Sequence, residues 1–546
     1  MLNILFINPV VREKGLPMHV PYGLGIIVAI AETLGHRFQV LDLNALRPPD
    51  QAIVEALRAD RWDIVALGGI TTTYGSVKRA LQLLDGALDY RPAVILGGGI
   101  ITAMPHDIMS LLPRVDLGVI GEGLQTFPEI LERLESKRDD WQNVLGVAWR
   151  RSDGKVIVNR ERPLVPMPEI DQTPYPAWDY FPLDVYFSNS SQLFSEEAYF
   201  TRRRLDVNAS YGCALICRFC YHLGLTGELQ TVETEEGNHE VVFGYRRDVR
   251  WHSPRYVVDM VKHMKNKYQV DFVCFLDENM MTMHRSSKGQ WLTEICQLWI
   301  QEGLQPQCVR DKVPHDLDKC DGVHWGGTSH ASQVDEKILP LMHDAGCSWL
   351  CYGLESFNDR ILKQLGKGAL RKHNIQCIEK TVKAGIRPTP NQIIGFPCEF
   401  FDSIRDSMTA WEELGLMVKP FFATPFPGSE WYYKYRQLIL EQYDGSLEAF
   451  LLDLGDCTEV TANISLNFNK CELYGLREMM LNNDKRGIDE YEKMWHQHHD
   501  QPVLDPEKIP WFAKYKTGEE DKYREEIKAY SEGRLIEVVK GPRPTA

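Results

Sequence analysis

The segment Asn208-Ala-Ser-Tyr-Gly-Cys213-Ala-Leu-Ile-Cys217-Arg-Phe-Cys220-Tyr-His222 decides the reading of the chain. Three cysteines spaced Cys-x3-Cys-x2-Cys put three thiolates on one tight loop, the donor set that holds an iron–sulfur cluster. In a [4Fe-4S] cluster, three protein ligands leave one iron open to chelate a small molecule through its amino and carboxylate groups. The same cysteines with His222 as a fourth ligand also make a zinc site. Structural zinc sites usually start from a short Cys-x2-Cys knuckle, which favours the cluster over zinc and over an incidental group of buried cysteines.

With Phe219 just before the last cysteine, Cys213-x3-Cys217-x2-Cys220 resembles the signature of radical S-adenosylmethionine (radical SAM) enzymes. The resemblance implies a [4Fe-4S] cluster on Cys213, Cys217 and Cys220, which are then the catalytic residues, and S-adenosylmethionine bound beside Phe219. It also implies cleavage to a 5′-deoxyadenosyl radical that abstracts hydrogen from an unactivated position, with an electron donor such as flavodoxin or ferredoxin.

Upstream, short apolar runs alternate with amphipathic ones: Asn3–Asn8, Arg37–Leu43, Ile64–Gly69, Ala93–Gly99 and Leu117–Gly121, with helical stretches such as Gly23–Leu34, closed by Gly35, and Tyr74–Leu88. Continuous β-rich runs separated by helices predict a parallel sheet covered on both faces, a Rossmann-like (flavodoxin-like) domain over residues 1–140. Such a sheet binds ligands beyond its strand C-termini. That edge carries Asn8-Pro9, Gly68-Gly69, Thr71-Thr72-Thr73, Gly97-Gly98-Gly99 and Gly121-Glu122-Gly123, where glycines admit a ligand to the backbone and threonines offer hydroxyls. Each Gly pair alone also reads as a tight turn. In order, and with Pro21-Tyr-Gly-Leu-Gly25, these pieces resemble the cobalamin-binding domain that precedes many radical SAM domains, although Leu124 stands where a second acidic residue is common. The resemblance implies cobalamin contacts from Pro9, Thr71, Thr72, Thr73, Gly98, Gly99, Gly121, Glu122 and Gly123. No Asp-x-His-x-x-Gly follows the first strand, so cobalamin is expected without a protein histidine on cobalt, as in the methylating branch; His19 and His36 read as surface or loop residues.

Residues 141–200 read as a linker: a hairpin over Val144–Val158 turning at Ser152-Asp153-Gly154, then a Pro-rich run in which Trp178 reads as interdomain packing. From 201 to 430, strand and helix signals alternate after the cysteine loop. They predict a partial (β/α)6 TIM-type barrel with its site at the strand C-termini. Expected strands are Asp206–Ala209, Phe272–Leu276, Val323–Gly327, Trp349–Gly353, Gln392–Gly395 and Phe421–Thr424. Asp277 and Glu278 follow the second strand, where carboxylates can hold the ammonium of S-adenosylmethionine. The resemblance adds Glu355 for its ribose, with Gly395 and Thr424 beside its adenine; each acid also reads as a helix cap. Cys398 departs from the usual glycine, and His330 reads as a proton carrier or as a loop histidine. Two apparent insertions, Gly227–Arg247 (a hairpin) and Leu304–Asp321, are expected to cover the barrel mouth.

Residues 431–546 read as a mostly helical region in which the Met479-Met480 pair is core, while His496, His498 and His499 are solvent-facing and 538–546 is frayed. A length of 546 residues predicts several domains. A formal net charge of −15 excludes a nucleic-acid partner, and Arg202-Arg203-Arg204 reads as a solvated or anion-holding turn. No apolar run reaches the roughly 18 residues of a membrane span, and no basic, apolar leader opens the chain. All 13 cysteines lie at or after position 213 without paired spacing, as expected in a reducing cytoplasm; Cys274, Cys347 and Cys351 read as small buried hydrophobes.

Together these readings imply a cobalamin-dependent radical SAM methyltransferase acting on an unactivated carbon, or a phosphorus, of a small molecule. An oxidative cyclase or rearrangement enzyme of the same family is the alternative, and a non-enzymatic cobalamin or iron–sulfur regulator a further one.

Overall fold

The computed structural model describes residues 1–190, 199–215, 217–221, 229–233, 239–243, 249–499 and 501–505, with backbone only at 229–233 and 239–243. His222 and the last residues, 538–546, lie outside the described residues. The first sheet contains β1 (Asn3–Asn8), β2 (Arg37–Asp42), β3 (Ile64–Gly68), β4 (Ala93–Gly97), β5 (Leu117–Val119), β6 (Val147–Arg150) and β7 (Val156–Val158), in spatial order β2-β1-β3-β4-β5-β6-β7. The first five strands are parallel, and the β6–β7 hairpin adds two antiparallel strands at one edge.

The pleat sorts the apolar strand residues to two faces. Ile4, Phe6, Ile64, Ala66, Ile95, Leu117 and Val119 pack beneath the helices Tyr22–Thr33 and Gly123–Glu135. Leu5, Ile7, Val65, Leu67, Val94 and Leu96 face the helices Asp50–Arg58 and Tyr74–Ala87. That second face runs on into the C-terminal helices through Trp431, Tyr432, Phe450 and Leu451.

The second sheet is an open barrel: β8 (Arg204–Val207), β13 (Phe272–Phe275), β14 (His324–Ser329), β15 (Cys347–Glu355), β16 (Arg387–Ile394) and β17 (Phe421–Phe422), all parallel and in sequence order. Two small antiparallel ribbons lie around the cysteine loop, one bracketing it and one after it. One pairs β9 (Ser210–Tyr211) with β12 (Arg250–Trp251), and the other pairs β10 (Leu229–Glu233) with β11 (His239–Phe243), the inserted hairpin. Leu205, Val207, Val273, Phe275, Trp325, Leu350 and Tyr352 face the outer helices. On the opposite face Phe272, Cys274, Trp349 and Cys351 close together with Phe200 and fill the bore. A side chain at Gly326 would run into the Trp349 ring and carbonyl, so glycine is what lets β14 approach β15.

Two expectations are corrected. Leu304–Asp321 leads into the first residue of β14, which pairs with the first residue of β13. It is therefore a helix-to-strand connection at the end opposite the mouth and does not cover it. The Arg202-Arg203-Arg204 run is not one solvated turn: Arg202 is exposed and pairs with Asp318, Arg203 lies over the Phe187 ring, and Arg204 is buried on β8 against Asp206 at 3.0 Å. Met480 is buried, while His496, His498 and His499 are exposed. Among the described residues no helix is long and apolar enough to cross a membrane.

Candidate active site

β8 runs straight into the cysteine loop, so the backbone that pairs with β13 also positions the three thiols at the strand C-termini. Cys213 and Cys217 are buried and Cys220 is half-buried; its N–H donates to the Cys217 carbonyl at 3.0 Å. Burial pushes both buried thiols up, Cys217 to about 12, against the pull of the Lys367 ammonium. Cys213 also feels the Cys220 thiol, and Cys217 feels both of the others. A positive cluster core would relieve that cost by taking the thiolates as ligands, so the loop fits a metal centre better than three free thiols.

Lys367 was not singled out by the sequence, and it is the most buried cation of the site. Its Nζ donates to Glu355 Oε1 at 2.9 Å, with both side chains under 8% exposed, and it sits 5.6 Å from the centre of the Phe219 ring. Burial opposes its charge, but Glu355, Cys217 and Cys220 outweigh that and raise its pKa. Glu355 ends β15 in a left-handed backbone conformation (φ 62°) at a register shift, and a side chain at Gly353 would collide with its carboxylate. The flanking Gly366 and Gly368 both have positive φ, a pattern in Gly366-Lys-Gly368 that could have flagged this turn.

Asp277 points back to the start of the loop, accepting from Ala209 N–H at 3.2 Å and from the Ser210 hydroxyl. Burial pushes its carboxyl up to about 7 in spite of those bonds. Glu278, next along, is close enough to act on the Cys213 thiol. Asn279 lies 4.0 Å from Cys213 Sγ and donates to Gln333 Oε1 at 2.6 Å, and its own Oδ1 accepts from the His330 N–H at 3.3 Å. His330 Nδ1 accepts from the Ser332 N–H at 3.2 Å, which leaves the ring proton on the buried Nε2, on the side of the Lys367 backbone. Burial, with Lys367 nearby, lowers its pKa to about 2, so it is neutral in any working range.

Gly395 adopts φ 92° just after β16, and its N–H donates to Glu399, whose carboxyl burial pushes up to about 8. Thr424 is buried, its hydroxyl donating to the Phe422 carbonyl at 3.1 Å. Cys398 is buried behind the cysteine loop and lines a small cavity with Arg218, Phe396, Trp431, Lys434 and Tyr435.

At the strand ends of the first sheet, Pro9, Gly69, Thr73 and Gly98 converge. A side chain at Gly69 would meet Thr73 and Pro9, and one at Gly98 (φ 86°) would come within 2.5 Å of the Gly69 carbonyl. Gly98 is nonetheless exposed, so this is a bare backbone floor of the kind a large ligand can rest on. Thr71–Thr73 form one helical turn in which Thr71 and Thr73 are buried and Thr72 half-buried, and Gly99 starts the next helix. Gly121 N–H donates to Thr102 Oγ1 at 3.0 Å, and Gly123 lies under Ile27. Glu122 is engaged by Arg250 of β12, which ties this edge to the segment beyond the cysteine loop.

Further contacts join the two edges. Tyr22, opening the first helix, neighbours Asn208, Tyr211 and Asp277. Arg12 pairs with Asp456 at 3.1 Å, and Cys457, beside it, lies near Glu355. The C-terminal region, for which no site residue was expected, thus reaches the mouth. His19 Nδ1 bonds Asp206 at 2.9 Å and is committed to the barrel strand.

A cysteine loop at the mouth of an open barrel, met by the ligand edge of a doubly wound domain, defines a two-cofactor radical enzyme. Comparison with known proteins gives the family: the chain belongs to the radical SAM superfamily, whose model matches residues 207–410, and residues 9–131 match the B12 binding domain. Its cofactors are accordingly a [4Fe-4S] cluster, S-adenosylmethionine and cobalamin. An uncharacterized methyltransferase of Pyrococcus horikoshii is 26% identical over 76% of this chain and 78% of its own. The cytidylyl-2-hydroxyethylphosphonate methyltransferase of Streptomyces wedmorensis is 24% identical over 78% and 80%. An anaerobic magnesium-protoporphyrin IX monomethyl ester cyclase of Rubrivivax gelatinosus is also 24% identical, over 74% and 65%. Among solved structures, the radical S-adenosylmethionine methyltransferase TsrM of Kitasatospora setae superposes with a TM-score of 0.58 at 15% identity, covering 80% of this chain and 76% of that one. The cobalamin-dependent S-adenosylmethionine radical enzyme OxsB gives 0.61 at 14%, covering 100% and 82%. These two likenesses show the fold.

Proposed function

We propose that this enzyme is a cobalamin-dependent methyltransferase that moves a methyl group from S-adenosylmethionine to an unactivated carbon, or a phosphorus, of a small molecule. The observation that carries the reading is the meeting of the two strand-end edges, through Glu122–Arg250, Tyr22 beside Asn208, and Arg12–Asp456. When bound, the cluster with S-adenosylmethionine supplies a hydrogen-abstracting radical, and cobalamin carries the methyl group.

The chain's own residues divide the remaining work. Cys213, Cys217 and Cys220 hold the cluster, with Lys367 balancing their charge. Phe219, Glu278, Glu355, Gly395 and Thr424 are the residues that would hold S-adenosylmethionine, and Asp277 would support it indirectly by fixing the loop's first turn. Pro9, Thr71, Thr72, Thr73, Gly98, Gly99, Gly121 and Gly123 line the cobalamin edge, and Glu122 locks that edge to the barrel. Closing the two edges on each other excludes water from the reacting groups. A reduced flavodoxin or ferredoxin is the electron donor this reading calls for.

The test is incubation of the reconstituted protein with cobalamin, reductant and trideuteromethyl S-adenosylmethionine. Methyl transfer gives S-adenosylhomocysteine and the label on cobalamin, and a Cys217→Ala variant loses its iron while retaining cobalt. Formation of 5′-deoxyadenosine with no S-adenosylhomocysteine points to the cyclase reading, which the Rubrivivax relative keeps in play; iron without cobalt refutes the methylcobalamin mechanism, and zinc in place of iron refutes both readings.

A further inference from the structure

The connection between the helix Gln290–Gln301 and β14 carries Cys308, His315, Cys320 and His324, and one ligand atom from each lies within 4.8 Å of all the others. Cys308 Sγ is 3.5 Å from His315 Nδ1 and 3.3 Å from His324 Nε2, and Cys320 Sγ accepts the Cys308 N–H at 3.4 Å. In a tetrahedron with zinc–sulfur bonds of about 2.3 Å and zinc–nitrogen bonds of about 2.05 Å, the S···N edge is about 3.6 Å. The two Cys308 sulfur–nitrogen separations lie close to that edge. As hydrogen bonds they would use the Cys308 thiol as donor to one imidazole and acceptor from the N–H of the other, a weak pairing for sulfur on both sides.

The surroundings point the same way. From 309 to 322 no side chain is fully buried, so little apolar burial holds this loop in place, yet Cys308 and His324 at its two ends are buried. Phe200, just ahead of β8, packs on both imidazoles at 5.2 and 5.0 Å, and the two imidazoles meet edge to face at 4.7 Å. Two thiolates and two neutral imidazoles around a divalent cation leave no net charge, which suits a half-buried position. A two-iron cluster would need the cysteine pair and the histidine pair on different metals, which spreads the donors instead of gathering them.

We propose that Cys308, His315, Cys320 and His324 bind one structural zinc ion. Four protein ligands close its coordination, so it takes no part in chemistry. Binding displaces the two thiol protons and pins the loop to β14 and, through Phe200, to the chain entering β8. The spacing, Cys-x6-His-x4-Cys-x3-His, lacks the short knuckle by which such sites are recognised in sequence.

The test uses full-length protein purified anaerobically and analysed for metals with zinc X-ray absorption. The expected result is about one zinc per chain with two sulfur and two nitrogen neighbours, retained when Cys213, Cys217 and Cys220 are all replaced by alanine and lost in Cys308→Ser. Should Cys308→Ser fail to fold, His315→Ala at a half-buried position reads the same loss, with one nitrogen neighbour replaced or the zinc gone. Iron in this shell, zinc bound through oxygen, or zinc that disappears with the triple alanine variant overturns the proposal.

Discussion

Removing the ammonium at position 367 tests the architecture of the site most directly. Lys367 and Glu355 are 2.9 Å apart with side chains 6% and 7% exposed, so water does not screen them. Replacing Lys367 with methionine keeps the stem and deletes the charge, leaving Glu355 buried without its counter-ion. Breaking a buried pair from one side costs about 3–5 kcal/mol. Glu355 also sits at φ 62°, a conformation that costs a non-glycine residue on the order of 1 kcal/mol and that the pair helps to hold. At about 2–4 °C per kcal/mol for a domain of this size, the barrel's calorimetric transition should fall by roughly 6–20 °C in Lys367→Met. Removing both charges, in Lys367→Met/Glu355→Gln, should restore at least about 2 kcal/mol of that loss, because a neutral pair has nothing left to solvate. A shift of under about 2 °C in the single variant, or a double variant with simply additive losses, would refute the reading of the pair as a mutually neutralising unit.

Two further outcomes are expected. Gly98→Ala forces a side chain against the Gly69 carbonyl at φ 86°, so equilibrium dialysis should show cobalamin affinity reduced at least about tenfold while iron content is unchanged. Asp277, held at about 7 by burial while its unfolded counterpart ionises near 3.9, binds a proton in the fold that the open chain has lost; stability therefore falls as pH rises from about 4 to about 7, by something on the order of 4 kcal/mol. Asp277→Asn should flatten that part of the thermal midpoint's pH profile, and an unchanged slope would contradict the assignment.

Much of this was legible because sheets write themselves into sequence as apolar runs. Ile64–Gly68 and Ala93–Gly97 are buried on both faces and read as strands without help. The helix Phe401–Leu414 showed its apolar spacing plainly. β16 was read too short, since Pro388 and Pro390 argue against a strand. They are tolerated because, two residues apart, they lack donors on the same flank, and β17 pairs with this strand only at Ile393 and Ile394. The cysteine loop was found because its ligands are adjacent in sequence. Lys367, Gln333 and Cys457 were not, because each reaches the mouth from a different strand end or from the C-terminal region, and only the fold brings them together. The Cys308–His324 group escaped for a related reason: its members are near in sequence but follow no recognised spacing.

The proline pair in β16 has one more consequence. An unfinished barrel is a sheet with a bare flank, and a bare flank of amides and carbonyls invites another chain to add a strand and polymerise. Here the exposed stretch of β16 offers no donors at two positions, and β17 is only two residues long. The seam can therefore stay without a closing strand and still not become a template for fibres.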